Sequence, residues 1–524
     1  MNTTVALCPD LAAACRQWRD RTAITSGDTT LSYGQVWDRV QALAGAYRRL
    51  GVRPGDRVMC SLRTSPEHVI AMHAAWECGA VHVGVHNELT APELCALVDR
   101  TAPAALVFEP RGSDDSEDAL VAVSESYPDL LRIVHGGKVA HGEVVLTELL
   151  TSHDGRDKRS RLPCPDDAAV LFLTSGSTGR PKAVIDTLPG LWGKVTFFQR
   201  AFGPGPNDVH LMYLPICHAF GLKLATLALM TGGRLVMLER FSPSPALRLV
   251  ATEGVTVLPA TPTHLRILLT KLDETPHRVD SLRWVPTAAA PLPDALAEQV
   301  YRRLGVEIFS VYGCSEGFLC VTTERRDVLA GSVGRSVYSG PASTPPAGTL
   351  RVVDPDLHTE LPVGELGEIA FGARLPVRYW DEAAVGTDGW YHSGDLGRLD
   401  AEGRLFILGR RKELVNRGGL KVSSGEVEAV LVRHPEVADA AVVPSPDPVL
   451  GEAICACVVP AGPVTPTLAD VRAFLAPSLA RHKLPDELCL LERFPRTSIG
   501  KLDRPALVSL VVDGDLPRER LRPR

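Results

Sequence analysis

The strongest chemical signal in the sequence is a short stretch rich in hydroxyl and glycine residues, Thr174-Ser175-Gly176-Ser177-Thr178-Gly179-Arg180-Pro181-Lys182. Glycines let the backbone approach an anion closely, and exposed amides in such a loop form a concave anion site. The hydroxyls add donors, and the lysine adds a charge suited to phosphate. A flexible surface linker has a similar composition, but the preceding apolar run and the closing Pro-Lys favour phosphate binding. The spacing fits neither the Walker A nor the GxGxxG pattern.

Four further segments follow in order: Tyr312-Gly313-Cys314-Ser315-Glu316, Tyr391-His392-Ser393-Gly394-Asp395, Gly409-Arg410-Arg411-Lys412-Glu413, and Pro495-Arg496-Thr497-Ser498-Ile499-Gly500-Lys501. With these segments the sequence resembles the acyl-adenylate-forming superfamily, which includes acyl- and aryl-CoA synthetases, stand-alone adenylation enzymes and luciferases. The resemblance covers essentially the whole chain. One departure is Ala183, where the family usually has glycine.

The resemblance implies a role for each matching residue on the nucleotide side. Tyr312 would stack on adenine, and Ala288 and Ala289 would line it with their backbone, although glycines are commoner there. Asp395 would accept hydrogen bonds from both ribose hydroxyls, with Arg410 assisting. Each of these residues has an ordinary structural interpretation as well, such as a core tyrosine or a turn aspartate.

The reacting phosphate requires positive charge, because attack of a carboxylate on ATP brings two anions together. Glu316 matches the family's Mg²⁺ ligand, and a single carboxylate is sensible for magnesium, which also uses phosphate oxygens. Ser315 keeps the hydroxyl that usually belongs to threonine and would reach the α-phosphate. Lys501 matches the lysine that bridges carboxylate and α-phosphate in the family.

The acid is less well defined by the sequence. The resemblance places Leu214 to Gly221 along the acyl pocket, with His218 as a gating residue, although a lone histidine in an apolar stretch is often structural. Relatives that activate α-amino acids usually place an aspartate in this segment. No aspartate occurs between Met212 and Arg240, so an aryl or alkyl acid is favoured.

The elements that must position these residues alternate between helix and strand. The patterning predicts helices over Gln35–Leu50 and Glu67–Cys78, a strand over Arg57–Leu62 and a polar loop over Arg111–Asp118. We expect an α/β fold: a large N-terminal domain of stacked αβ layers, residues 1–411, with a β-rich subdomain from about residue 340. A small mobile α/β domain, residues 412–524, would carry Lys501 and rotate at a hinge near Lys412.

Composition restricts the class of protein further. The 524 residues carry a net charge of −6 with no long block of either sign, which disfavours a nucleic-acid partner. No uninterrupted apolar stretch of about 18 residues predicts a membrane span. The start does not resemble a signal peptide. The twelve scattered cysteines are expected to be reduced, mostly buried thiols of a cytoplasmic protein.

The prediction is therefore an AMP-forming acid–thiol ligase that uses ATP, Mg²⁺ and CoA. It would convert a small-molecule carboxylic acid to acyl-AMP and then to a CoA thioester. Transfer to the phosphopantetheine of an acyl carrier protein is the nearest alternative. Activation of an unusual small acid such as nitrite, a catalytically inactive binding protein and a conventional P-loop NTPase are the others.

Overall fold

The computed structural model describes residues 10–110, 114–137, 142–151, 167–174, 182–316, 319–336, 350–372, 377–380, 389–418, 420–496, 502–514 and 516–521. Strands and helices alternate through most of these ranges, so the predicted α/β class is confirmed. None of the described helices combines the length and the apolar character that a membrane crossing needs.

The elements before residue 175 are α1 (Leu11–Gln17), β1 (Thr22–Ser26), β2 (Thr29–Ser32), α2 (Tyr33–Arg49), β3 (Arg57–Ser61), α3 (Pro66–Glu77), β4 (Val81–Gly84), α4 (Ala91–Thr101), β5 (Ala105–Phe108), α5 (Asp114–Ser126), β6 (Leu131–Val134), β7 (Val144–Val145), α6 (Leu146–Thr151) and β8 (Ala168–Thr174).

The elements from residue 182 to residue 336 are β9 (Lys182–Thr187), α7 (Leu188–Phe202), β10 (Val209–Met212), α8 (Ala219–Met230), β11 (Arg234–Met237), α9 (Pro243–Glu253), α10 (Pro262–Glu274), β12 (Trp284–Thr287), α11 (Asp294–Leu304), β13 (Glu307–Gly313), β14 (Leu319–Val321), α12 (Arg325–Leu329) and β15 (Arg335–Ser336).

The remaining elements are β16 (Leu350–Val353), β17 (Gly367–Gly372), β18 (Trp390–Leu399), β19 (Leu405–Arg410), a 3₁₀ turn (Arg411–Glu413), β20 (Leu414–Arg417), β21 (Leu420–Ser423), α13 (Ser424–Leu431), β22 (Val437–Asp447), β23 (Gly451–Pro460), α14 (Leu468–Leu475), a second 3₁₀ turn (Arg481–Lys483), β24 (Glu487–Leu490), α15 (Arg504–Val512) and β25 (Arg518–Arg520).

A seven-stranded sheet in the order β7-β6-β5-β3-β4-β8-β9 holds the start of the predicted phosphate loop. Its strands are parallel except for β9, which runs antiparallel to β8. Strands β4 and β5 are buried at every residue, as expected for parallel strands covered on both faces. The register places Thr174 opposite Lys182, so the two ends of the loop lie side by side.

A second layer carries two other predicted segments. Strands β10-β11-β1-β2 and β12-β13-β14-β15 form two four-stranded sheets, and Val257 bridges His210 of one to Trp284 of the other. Strands β12 and β13 are parallel neighbours. Parallel strands end at the same edge of a sheet, so Ala288 after β12 and the segment after β13 leave the layer on one side.

An antiparallel sheet in the order β16-β17-β18-β19 holds the next two segments. The strands predicted from Leu350 and from Glu368 are present as β16 and β17. In the β18–β19 pair, Asp395 lies opposite Arg410. The pairing register therefore brings these two predicted nucleotide-binding residues together.

The last part of the described chain forms a six-stranded sheet, with β21-β20-β23-β24-β25 in order and β22 beside β23. Helix α13 begins at Ser423, whose hydroxyl accepts the Glu426 amide, 3.4 Å away. The Glu426 carboxylate contacts Lys483 Nζ at 2.6 Å. Ser423 therefore caps the helix, while the glutamate forms an ion pair with a distant lysine.

Two further expectations can be compared with the structure. The loop predicted over Arg111–Asp118 is wrong in part, because α5 begins at Asp114. Ala119, Leu120 and Val123 are buried on one face of this helix, so its other face can be polar. All ten described cysteines are free and eight are buried, as predicted for reduced thiols.

Candidate active site

Three of the predicted nucleotide-binding residues form one hydrogen-bonded group. The Tyr312 hydroxyl donates to Asp395 Oδ2 at 2.6 Å, and Arg410 Nε contacts Asp395 Oδ1 at 2.9 Å. Burial, and then the neighbouring Asp395 charge, raise the pKa of Tyr312 well above its ordinary value. The tyrosine therefore stays a neutral donor to the carboxylate. The Asp395 side chain is 10% exposed and that of Arg410 is 66% exposed, so the pair opens to solvent on the arginine side.

The turn that presents Asp395 is held by a second set of contacts. Gly394 has a φ of 74°, in the left-handed region that suits glycine, and its amide donates to Glu368 Oε1 at 2.9 Å. The Ser393 hydroxyl donates to the Ile369 carbonyl and accepts from the Asp395 amide. Arg411 Nη1 contacts the other Glu368 oxygen at 3.3 Å. These contacts fix the aspartate before any ligand binds.

A tyrosine that the sequence did not single out joins the predicted magnesium ligand to the phosphate loop. The Tyr379 hydroxyl donates to Glu316 Oε1 at 3.2 Å, and Lys182 Nζ lies 4.7 Å from the centre of the Tyr379 ring. Burial is the largest influence on Tyr379 and raises its pKa to about 12. Its hydroxyl oxygen lies 3.5 Å from that of Tyr391. Nothing local in the sequence marks Tyr379, because its position depends on an isolated bridge to Val184 in β9.

The backbone predicted to line adenine has an unusual conformation. Ala289 has a φ of 77°, one of only three positive φ values at non-glycine residues in the described chain. Alanine in this region is strained, and such strain is concentrated at functional sites. The conformation accounts physically for the family's preference for glycine here. Ser315 lies half-buried in the turn that follows β13.

The predicted acyl segment leads directly into helix α8. His218 is its N-cap residue, and the ring centres of His218 and His86 are 6.2 Å apart. His218, Ala219 and Phe220 are partly exposed, whereas every residue from Gly221 to Met230 is buried. The start of α8 therefore forms an opening, and the rest of the helix lies in the core.

Several predicted residues lie outside the described residues: Ser175, Gly176, Ser177, Thr178, Gly179 and Lys501, together with the side chain of Thr174. Their roles remain predictions. The described contacts gather the other site residues into the Tyr312–Asp395–Arg410 group and the Lys182–Tyr379–Glu316 group. His218 lies at the opening of α8.

Comparison with known proteins agrees with this arrangement. The profile of the AMP-binding enzyme family matches residues 11–376, and that of the AMP-binding enzyme C-terminal domain matches residues 426–501. The chain belongs to the AMP-binding enzyme family. The resemblance to the acyl-adenylate-forming superfamily is thus confirmed, as is the predicted class of AMP-forming acid–thiol ligase. The P-loop NTPase alternative is set aside.

Relatives of this AMP-binding enzyme cover nearly its whole length. It is 32% identical over 520 residues to 2-hydroxy-7-methoxy-5-methyl-1-naphthoate–CoA ligase of Streptomyces carzinostaticus, covering 95% of this chain and 91% of the relative. It is 32% identical over 511 residues to salicylyl-CoA synthase / salicylate adenylyltransferase of a Streptomyces species, covering 94% and 91%. The ATP-bound structure of MatB from Rhodopseudomonas palustris matches with a TM-score of 0.81 at 26% identity, covering 97% and 99%.

Proposed function

We propose that this AMP-binding enzyme activates an aryl carboxylic acid, with a hydroxyaryl acid as the favoured class, and transfers the acyl group to CoA. The Tyr312–Asp395–Arg410 group is the observation that carries the proposal, because it presents a fixed carboxylate where the family binds ribose. The names of two relatives support an aryl acid, since they specify a hydroxynaphthoate and salicylate as substrates.

Adenylation joins a carboxylate oxygen to the α-phosphorus of ATP and expels pyrophosphate. Lys182, at the end of the loop, contributes positive charge beside the phosphates. Its position is supported by the face of Tyr379, 4.7 Å away, which attracts a cation. Lys501 is assigned to the transition state itself, where it neutralises charge on the carboxylate and the α-phosphate.

Glu316 fits a magnesium ion that enters with ATP. Its recorded hydrogen bond comes from the neutral Tyr379 hydroxyl, and no described cation forms an ion pair with it. A half-buried carboxylate with this single neutral donor retains oxygen lone pairs for a hard cation. When bound there, Mg²⁺ would neutralise phosphate charge. Tyr379 would meanwhile keep the carboxylate oriented.

The thiol step requires the active site to be rebuilt around the acyl-AMP. The proposed large domain spans residues 1–411, the small domain spans residues 412–524, and Lys412 is the hinge. Lys412 is exposed in the 3₁₀ turn Arg411–Glu413. Apolar core clusters among the described residues support this division, because those that include Val415 or any later residue contain nothing before it. Rotation at the turn would remove Lys501 and admit the thiol.

A carrier protein is the alternative acceptor, and the adenylyltransferase name of one relative favours testing it. The small rotated domain would accept phosphopantetheine from either source. A cytoplasmic location is retained as a prediction from the scattered reduced thiols.

The test is acid-dependent exchange of labelled pyrophosphate into ATP, screened over aryl, alkyl and small inorganic acids including nitrite. We expect exchange with an aryl acid, followed by thioester formation when CoA is added. Thioester on a carrier protein but not on CoA would favour the alternative acceptor. Absence of exchange with every acid would overturn the proposal and leave the inactive binding protein.

A further inference from the structure

One charged side chain lies inside the otherwise apolar helix α8. Lys223 is 2% exposed, and its neighbours Leu222, Leu224 and Ala225 are fully buried apolar residues. A buried ammonium costs free energy unless it is paired and hydrogen-bonded. A lysine at this position therefore needs an explanation.

Nothing among the described residues neutralises this lysine. No described side chain or carbonyl accepts a hydrogen bond from Lys223 Nζ, and no described carboxylate lies within ion-pair distance. The nearby Asp186 is paired with Lys194 Nζ at 2.7 Å. Burial, and next the Lys194 charge, lower the pKa of Lys223 to about 7. The ammonium is thus held ready for an anion that the described chain does not supply.

The position of Lys223 connects it with the opening of α8. Residues three and four apart share one face of a helix, so Lys223 lies on the face of the partly exposed Ala219 and Phe220. Helical side chains lean towards the N-terminus, which carries the ammonium back towards the opening.

The other surroundings of the ammonium belong to the candidate site. Lys223 Nζ lies 6.0 Å from the ring centre of Phe172, in the strand that leads into the phosphate loop. Cys314 and Glu316 are close enough to influence its charge. These neighbours place it between the acyl segment and the predicted phosphate-binding elements.

We propose that Lys223 determines acid specificity by binding a second acidic oxygen of the substrate, either a phenolic oxygen or a second carboxylate. The inference rests on the proposed function, and it narrows the acid to one that carries such an oxygen in addition to the carboxylate being activated. A substrate of this kind completes the missing ion pair or charged hydrogen bond. An acid without the oxygen leaves the ammonium buried and unpaired.

The experiment compares the best acid from the pyrophosphate-release screen with its analogue lacking the second oxygen, for example 2-hydroxybenzoate with benzoate or phthalate with benzoate. Both are measured as kcat/KM with the wild type, Lys223→Met and Leu224→Met. Methionine keeps the length of the side chain without its charge, and Leu224→Met controls for altered packing in the same helix.

We expect the wild type and Leu224→Met to prefer the acid with the second oxygen by at least about tenfold, since a site built for a polar group rejects analogues that lack it. In Lys223→Met the ratio should fall towards one, mainly through KM. A preference in the hydroxy pair identifies a phenolic ligand, and one in the dicarboxylate pair identifies a carboxylate.

Two results would overturn the inference: no preference in the wild type, or an equal loss for both acids in Lys223→Met, which would make the lysine structural or a ligand of the reacting carboxylate. Both results leave acid activation intact. Failure to release pyrophosphate with any acid would instead contradict the proposed function.

Discussion

The nucleotide end and the acid end of the site differ in how their charges are satisfied. Asp395 already contacts Tyr312 and Arg410, and the turn that carries it is held by Ser393 and Glu368. At the acid end, Lys223 is buried without a described partner. The nucleotide is the same in every turnover, so a finished carboxylate can wait for it. The acid defines the individual enzyme, and the unsatisfied charge lies where that acid would complete it.

The largest effect is expected from removing the charge on which both ends would converge. Lys501→Ala should lower acid-dependent pyrophosphate release by about a hundredfold to a thousandfold, because it removes charge stabilisation in the transition state. Thiol transfer from supplied acyl-AMP should fall much less. Equal losses in the two half-reactions, measured separately by rapid quench, would contradict the rotation of the small domain.

The paired nucleotide end can be tested at Asp395. Asp395→Asn should raise the KM for ATP by about tenfold, because a charged hydrogen-bond acceptor is worth roughly 1.5–3 kcal/mol. The acid preference should not change. Asp400→Asn is the matched control, since Asp400 pairs with Arg404 in the same β18–β19 hairpin. A similar ATP defect in both variants would mean that the hairpin, and not the ribose contact, had been disturbed.

The opening of the acid end can be tested at His218. His218→Ala should change the ranking of acids or the rate of thiol transfer by about tenfold, a scale typical of reshaping an acyl pocket. The KM for ATP should stay near its wild-type value. A defect confined to ATP binding would show instead that the histidine supports the nucleotide end.

The smallest effect concerns stability without ligands. The pKa of Lys223 is lowered to about 7 in the folded chain, whereas an exposed lysine has a pKa of about 10.4. Between these values the unfolded chain binds more protons, so stability at this site rises with pH. Lys223→Met should therefore raise Tm by a few degrees at pH 7, and the gain should shrink by pH 9.5.

The charged and titratable groups around Lys223 are Lys194, Asp186, Cys314 and Glu316, and they are unchanged in the variant. Lys271→Met, at a partly exposed lysine paired with Glu274, supplies the control. Its Tm difference from the wild type should not follow pH in this way. A gain from Lys223→Met that stayed constant across the pH range would show that packing, and not charge, is responsible.

Local sequence predicted much of this molecule because much of it is locally encoded. Apolar patterning predicted α2, β3 and α3 to within a few residues, and the ordered segments predicted the family. Contacts between distant elements were not predictable. Tyr379 reaches Glu316 only through tertiary packing, and Cys489 joins Cys455 and Cys457 only because β23 and β24 pair in parallel. Burial of Lys223 depends on what covers both sides of α8.

The side-by-side placement of Thr174 and Lys182 limits how this enzyme can vary. Side chains alternate between the two faces of a strand, so one residue inserted within β9 would turn every side chain on one side of the insertion to the opposite face. Either Lys182 would leave the ring of Tyr379, or the buried Val184 and Asp186 would exchange faces with their neighbours. Length changes in related chains should therefore be excluded from β9, or should occur there only in steps of two.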